Sequence, residues 1–329
     1  MHWIRGETLG RGGFALVSKG LIQPEEDGIP SIVAVKSSKS TESKSLLKEK
    51  KLLDRFNNCP FIIRCFGDET SQEDGQELYN IFLEYASGGC LADIIIKSAG
   101  LPEALVKNHT RSILMALSHM HALGYVHCDI KPHNILIVKQ DVEEETAKLA
   151  DLGSALNMRG GHEDEDEDDG GFRGTVLYAA PESIAKQTYV PQSDVWSLGC
   201  TVLSMLTGNN SPWKFDRSMK AADVLMKIAC SDQIPEMPKK ISKEAVNFLR
   251  KCFVKDPRSR CTADMLLDHP FVKAAPIAGR CSRRHLRQDC LTASARWSPA
   301  AFITKIRQQS VLCSWSCKWI QLLVYIFFK

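Results

Sequence analysis

The chain has 329 residues, 44% hydrophobic and 25% charged, an ordinary balance for a globular protein. Its net charge is +3, but residues 274–329 carry nine Lys or Arg and one acid, Asp289, so residues 1–273 are slightly acidic. This balance excludes a general nucleic-acid-binding protein. The twelve cysteines show no paired CxxC spacing and no charged-then-apolar leader opens the chain, so we expect reduced thiols and a cytoplasmic or nuclear protein.

The first ninety residues alternate short β-branched runs with Gly-rich turns. Residues 32–35 and 81–83 are two such runs, and residues 41–56 form a charged stretch with helical spacing. Alternation of this kind predicts a small antiparallel sheet accompanied by one helix.

Two long stretches further along have apolar residues at helical spacing. In the first they are Leu105, Ile113, Leu117 and Met120, and in the second, expected from about residue 193 to 207, they are Val195, Leu198, Val202 and Met205. Typical helix boundaries flank these stretches. Pro102 lies near the start of the first, and Gly124 and Gly208 follow the ends of the first and the second. We therefore expect two buried helices in a larger, mostly helical part.

Residues 10–17, Gly-Arg-Gly-Gly-Phe-Ala-Leu-Val, lie between two predicted strands. Bare backbone at Gly10 and Gly12 could fold closely over phosphates, although an ordinary Gly-rich hairpin has the same pattern. Lys36 follows the apolar residues 33–35, where it either pairs with nucleotide phosphates or extends to solvent. These two signals are weak when each is taken alone.

Residues 127–134, His-Cys-Asp-Ile-Lys-Pro-His-Asn, form a more specific signal. Asp129 can accept the proton of an attacking hydroxyl, Lys131 can neutralise a transferring phosphoryl group, and Asn134 can bind a metal ion. Asp151 follows an apolar run and precedes Leu-Gly, which suits the chief ligand of a Mg²⁺ ion that bridges phosphates. One such aspartate could cap a turn, but the ordered set favours catalysis.

In order, these motifs and Ala-Pro-Glu at residues 180–182 resemble the signatures of the eukaryotic protein kinases. The resemblance implies an α+β, two-lobed protein kinase fold over residues 1–273, with a β-rich N-lobe of about residues 1–87 and a helical C-lobe of about 88–273. It also implies that ATP and Mg²⁺ are used.

The same resemblance assigns roles to single residues. Asp129 and Lys131 would be catalytic, Asn134 and Asp151 would bind the metal, and Arg260 would pair with Glu182. The expected nucleotide-binding residues are Gly10, Arg11, Gly12, Gly13, Val17, Lys36, Glu49, Glu84 and Ala86, with Glu49 paired to Lys36.

Lys131, two residues after Asp129, and Gly-Thr at residues 174–175 resemble serine/threonine kinases rather than tyrosine kinases. The opening residues 3–6, Trp-Ile-Arg-Gly, the loop at residues 127–132 and the segment 174–182 are together most similar to plant mitogen-activated protein kinase kinase kinases of the MEKK type. This implies a MAP kinase kinase as substrate, in stress or hormone signalling. A pseudokinase scaffold and a small-molecule phosphotransferase are the less favoured alternatives.

Three positions depart from the family pattern. Ala15 replaces the third glycine of the loop, and Leu152 replaces the usual Phe, but both changes should be tolerated. Cys128 replaces the Arg that often gathers a phosphorylated loop, so we expect activity with little dependence on loop phosphorylation. The acidic run at residues 163–169 is expected to be a solvated loop, with attraction of basic partners as the alternative.

Residues 274–329 are predicted to be a basic tail that is docked, disordered or artefactual. Its closing apolar run, residues 319–328, is about half of the ~20 residues that span a bilayer, and surface contact with a membrane is the less favoured alternative. Cys313 and Cys317 alone would make a poor zinc site.

Overall fold

The computed structural model describes residues 2–12, 15–23, 28–139, 145–159, 171–215 and 219–273. The predictions for Gly13, the acidic run and the tail therefore lie outside the described residues. The proposed domain boundaries remain predictions.

The N-lobe is a five-stranded antiparallel sheet with strand order β1-β2-β3-β5-β4. Its strands are β1 (Trp3–Arg11), β2 (Leu16–Ile22), β3 (Ile32–Lys39), β4 (Cys65–Glu73) and β5 (Gln76–Glu84). Helix α1 (Lys44–Arg55) packs beside the sheet and buries Leu46, Leu52 and Leu53. The predicted small sheet with one helix is confirmed.

The C-lobe is mostly helical. Its helices are α2 (Leu91–Ser98), α3 (Glu103–Ala122), α4 (Pro181–Lys186), α5 (Pro191–Thr207), α6 (Ala221–Cys230), α7 (Lys243–Cys252), α8 (Ala263–Leu267) and α9 (Pro270–Lys273). Five short strands form two further sheets. The strands β6 (Gly89–Cys90), β8 (Ile135–Lys139) and β9 (Glu145–Leu149) form one sheet, and β7 (Tyr125–Val126) pairs with β10 (Leu156–Asn157) in the other. Among the residues that the structure describes, no helix is both long and apolar enough to cross a bilayer.

The two predicted buried helices are α3 and α5. In α3, Ile113, Leu117 and Met120 are fully buried, whereas Leu105 is only partly buried. Helix α5 begins at Pro191, two residues before the expected start, because proline fits the first turn, where its missing N–H needs no partner. One continuous cluster of buried apolar residues joins both lobes, which confirms the α+β, two-lobed fold.

A buried ion pair attaches helix α4 to the segment between helices α7 and α8. Arg260 donates to both carboxylate oxygens of Glu182, at 2.8 and 3.0 Å, and its side chain is fully buried. Ser193 donates a further hydrogen bond to Glu182 at 2.9 Å. The expected pairing of these two residues is confirmed by this geometry.

Replacing Arg260 with Met should destabilise the protein strongly, because the Glu182 carboxylate would remain buried without a cation. We expect the free energy of unfolding to fall by about 3–5 kcal/mol, measured by urea denaturation. The control is Lys214→Met, since Lys214 pairs with Glu236 at 2.9 Å on the exposed surface. That pair should contribute less than about 1 kcal/mol. Equal losses in the two variants would contradict this account.

Candidate active site

The loop that contains Asp129 is fixed by one carboxylate of helix α5. Asp194 accepts the backbone N–H groups of His127 and Cys128, both at 2.9 Å, and contacts the ring of His121 at 2.8 Å. Cys128 has a positive φ of 68°, a conformation that costs free energy for a residue other than glycine. The two charge-assisted hydrogen bonds to Asp194 offset that cost and hold the loop in one shape.

Asp129 lies at the centre of a compact hydrogen-bond network. Lys131 Nζ donates to Asp129 Oδ2 at 2.7 Å and to Thr175 Oγ1 at 2.8 Å. The Thr175 hydroxyl in turn donates to Asp129 Oδ1 at 2.8 Å. Asn134 Nδ2 donates to the main-chain and side-chain oxygens of Asp129, at 2.8 and 3.0 Å. The three predicted residues Asp129, Lys131 and Asn134 are therefore brought together.

His127 connects this loop with the strand that leads to Asp151. Its Nδ1 accepts the backbone N–H of Asp129 at 3.3 Å, so Nδ1 carries no proton. The proton is then on Nε2, which donates to the carbonyl oxygen of Ala150 at 3.3 Å. The backbone N–H of Ala150 also donates to the carbonyl oxygen of Asn134 at 2.9 Å. The segment before Asp151 is thus attached at two points to the Asp129 loop.

Lys36, Glu49 and Asp151 meet between the two lobes. Lys36 Nζ lies 2.6 Å from Glu49 Oε2 and 3.2 Å from Asp151 Oδ1. Glu49 is the buried carboxylate of α1, whereas about half of the Asp151 side chain is exposed. Strand β3, helix α1 and the segment after β9 each contribute one charge to this contact. The expected pairing of Lys36 with Glu49 is observed.

The charges in this contact determine how its groups titrate. Burial lowers the pKa of Lys36, but the adjacent carboxylates of Glu49 and Asp151 outweigh it and raise that pKa above the ordinary value. Burial also opposes ionisation of Asp151, yet the Lys36 ammonium holds the pKa of Asp151 below its usual range. Lys36 is therefore a cation and Asp151 an anion at neutral pH, as phosphate and metal binding require.

The described residues on both sides of the Gly-rich turn belong to the β1–β2 ladder, where Gly10 pairs with Val17 and Arg11 with Leu16. A Cβ added at Gly10 would meet no heavy atom within 4 Å, so contacts inside the chain do not require glycine there. Close approach of a ligand to the backbone would require it. The phosphate-binding role of this segment remains a prediction.

The connection between the lobes holds two further predicted nucleotide-binding residues. The side chain of Glu84 receives two hydrogen bonds from Lys148 Nζ, at 2.7 and 2.8 Å, and one from the backbone N–H of Arg64 at 3.2 Å. The Glu84 carboxylate is therefore engaged within the protein, and its role in nucleotide binding remains a prediction. Ala86 and Val17 pack against the core cluster that joins the lobes.

Asn134 and Asp151 are the predicted metal ligands. Amide and carboxylate oxygens are ligands that Mg²⁺ prefers, and Asn134 uses its nitrogen for Asp129, which leaves its side-chain oxygen for a metal. Within the described residues there is no group of three or more His, Cys, Asp or Glu that could hold a metal. A Mg²⁺ ion held by few protein ligands together with substrate phosphates fits this arrangement.

The sequence analysis missed the contacts of two residues of the site, Thr175 and Lys148. Thr175 was recognised as a substrate-class signal, but its hydrogen bonds to Asp129 and Lys131 were not predicted. Lys148 was not singled out at all. The residue before Thr175, Gly174, has a φ of +104°, and an added Cβ would lie 2.4 Å from the carbonyl oxygen of Cys128. Glycine is therefore required where the Thr175 segment crosses the Asp129 loop.

Comparison with known proteins shows strong similarity over this whole region. The sequence model of the family described as "Protein kinase domain" matches residues 3–272. Mitogen-activated protein kinase kinase kinase 20 of Arabidopsis thaliana is 42% identical over 274 residues, which cover 83% of this chain and 78% of that protein. Mitogen-activated protein kinase kinase kinase 18 of the same plant is 37% identical, over 83% of this chain and 78% of that protein.

Replacing Gly174 with Ala should impair catalysis, because the new methyl group would push Thr175 away from Asp129. We expect kcat to fall by about tenfold or more, roughly 1.4 kcal/mol, in an assay of phosphoryl transfer to a protein acceptor. Gly75→Ala is the matched control, since Gly75 also has a positive φ, of 75°, but has no heavy atom within 4 Å of an added Cβ. If both variants lose activity equally, steric contact with the loop is not the cause.

Proposed function

We propose that this protein acts on MAP kinase kinases. The chain belongs to the protein kinase family and is an ATP-dependent serine/threonine kinase. It would thus be a mitogen-activated protein kinase kinase kinase that works in a stress or hormone signalling cascade. The similarity to two plant proteins of that name supports the substrate class. The observation that carries the proposal is the network in which Asp129, Lys131 and Thr175 contact one another directly.

This network suits transfer to an aliphatic hydroxyl. Asp129 orients the incoming Ser or Thr hydroxyl and accepts its proton, while the Lys131 ammonium faces the same carboxylate and can neutralise charge on the phosphoryl group. Lys36, held by Glu49, binds the phosphates of ATP beneath the Gly-rich turn. A Mg²⁺ ion held by Asn134 and Asp151 would neutralise phosphate charge when bound.

A pseudokinase scaffold is the alternative from a different class. Such a protein commonly lacks one of the groups that bind or transfer phosphate. Here all four groups are present, and Lys36 contacts Asp151 while Asn134 contacts Asp129. No observation on the described residues favours the scaffold. The cytoplasm or the nucleus remains the proposed location, and the free thiols of the eight described cysteines fit a reducing compartment.

Purified protein incubated with labelled ATP, Mg²⁺ and a panel of kinase-dead MAP kinase kinases should label a subset of the panel. Lys36→Met should abolish labelling, because phosphate binding loses its cation. Lys39→Met is the matched control, since Lys39 is an exposed lysine at the end of the same strand. Labelling of unrelated proteins only would reject the proposed substrate class, and no labelling of any protein would favour the scaffold.

We further propose that activity depends little on phosphorylation of the segment around residues 160–175. Cys128 is buried, and burial raises the pKa of its thiol well above the ordinary value, so this position supplies neither a cation nor an anion. The loop that contains Asp129 is held instead by the hydrogen bonds from His127 and Cys128 to Asp194.

Phosphatase treatment, verified by mass spectrometry, should therefore leave the rate within about tenfold of the untreated protein, a difference below 1.4 kcal/mol. The control is mock treatment with heat-inactivated phosphatase. A larger loss would show that other cations near the loop bind a phosphate, and would reject this second proposal.

A further inference from the structure

Strand β1, which leads into the Gly-rich turn, is an edge strand whose only ladder partner is β2. None of its residues from Trp3 to Arg11 is buried. Its ladder with β2 is irregular between Arg5 and Thr8 and again between Thr8 and Gly10. Of the apolar side chains in β1, Trp3 packs against a buried cluster that includes Phe82, whereas Ile4 and Leu9 are exposed. Apolar contacts therefore hold the start of β1 but not its Gly-rich end.

Arg5 provides a polar contact. Its guanidinium donates to both carboxylate oxygens of Glu73 on β4, at 2.7 and 2.8 Å. It also donates to Ser37 Oγ on β3 at 3.1 Å and to Asn80 Oδ1 on β5 at 3.0 Å. One side chain of β1 thus reaches three other strands of the sheet. Planar, bidentate pairing of this kind fixes geometry more closely than a single point charge does.

The partners of Arg5 are themselves held in place. Ser37 and Asn80 are buried and hydrogen-bonded to each other at 2.6 Å, and Asn80 also donates to Ser71 at 2.9 Å. Hydrogen bonding from Arg5 lowers the pKa of Glu73, although burial opposes it, so the carboxylate is ionised at neutral pH. Ser37 is the neighbour of Lys36 in β3. Arg5 therefore connects β1 to the strand that carries the phosphate-binding lysine.

This contact joins the two edges of the sheet. In the strand order, β1 and β4 are the outermost strands, and they share no backbone ladder. Besides Arg5 and Glu73, the indole N–H of Trp3 donates to Glu69 of β4, and the Arg5 guanidinium lies 4.8 Å from the centre of the Trp3 ring. Side chains of β1 and β4 therefore connect the two edge strands of the sheet.

We propose that Arg5 is a positioning residue that sets the height of the Gly-rich turn over the ATP phosphates by anchoring β1 to β3, β4 and β5. The inference rests on the proposed function, since it concerns the same nucleotide site. Arg5 touches neither substrate nor metal in this account. It acts through the backbone of β1, in which Gly10 lies five positions after Arg5.

The test compares two ligands that differ only in their phosphates. Adenosine reaches the connection between the lobes but lacks the groups that the turn would contact, whereas the β,γ-imido analogue of ATP has them. In Arg5→Met, the Kd of the analogue should rise by about fivefold to tenfold, while the Kd of adenosine stays unchanged, both measured by calorimetry with Mg²⁺. Arg250→Met, at an exposed arginine of α7, is the matched control and should change neither value.

Glu73→Ala is the second variant, in case Arg5→Met fails to fold. About a third of the Glu73 side chain is already exposed, so its loss should be tolerated, and it should weaken the analogue selectively by about twofold or more. Unchanged affinities, or equal weakening of both ligands, would overturn the inference, because the latter would indicate only a loosened lobe. If the wild-type protein binds neither ligand, the proposed function fails instead.

Discussion

The structure depends most on one contact between the lobes, in which the ammonium of Lys36 lies between the carboxylates of Glu49 and Asp151. These groups come from a strand, a helix and the segment after β9, so their attraction sets the position of helix α1 relative to both lobes. Removing Lys36 would leave the buried Glu49 carboxylate without its cation, which is strongly unfavourable. The same geometry places a cation and an anion where phosphates and a metal would bind. Stability of the interface and function of the cleft therefore have a common origin.

Side-chain contacts also support the backbone on both sides of Asp129. Cys128 and Asp151 are non-glycine residues with positive φ values of 68° and 60°, each a conformation that costs about 1–3 kcal/mol. The Asp194 carboxylate accepts hydrogen bonds from the two backbone N–H groups before Asp129, and Lys36 contacts the Asp151 side chain. Gly174 then allows the Thr175 segment to cross the loop closely enough for a hydrogen bond to Asp129. A strained but well-supported backbone is what a preorganised phosphoryl-transfer site requires.

Local patterns in the sequence predicted the parts of the site, but not every contact between them. Asp129, Asn134 and Asp151 were identifiable because their chemistry and order are specific, and helix α5 was placed to within two residues. Glu49 could be chosen only through the family resemblance, since α1 is rich in charges and burial alone distinguishes this one. The pairs Lys148–Glu84, Thr175–Asp129 and Arg5–Glu73 join residues 46 to 68 positions apart. Such pairs depend on how the sheet curls and how the lobes meet, which periodicity does not encode.

The central claim is that Asp129 acts on the incoming hydroxyl while the other groups hold the nucleotide. It is tested most directly by the rate of phosphoryl transfer in Asp129→Asn at saturating ATP, together with the Kd of the nucleotide. A positioned base contributes roughly 10² to 10⁴ in rate, so the account predicts a loss of at least about a hundredfold with an unchanged Kd. A variant that transfers phosphate as fast as the wild type would contradict it.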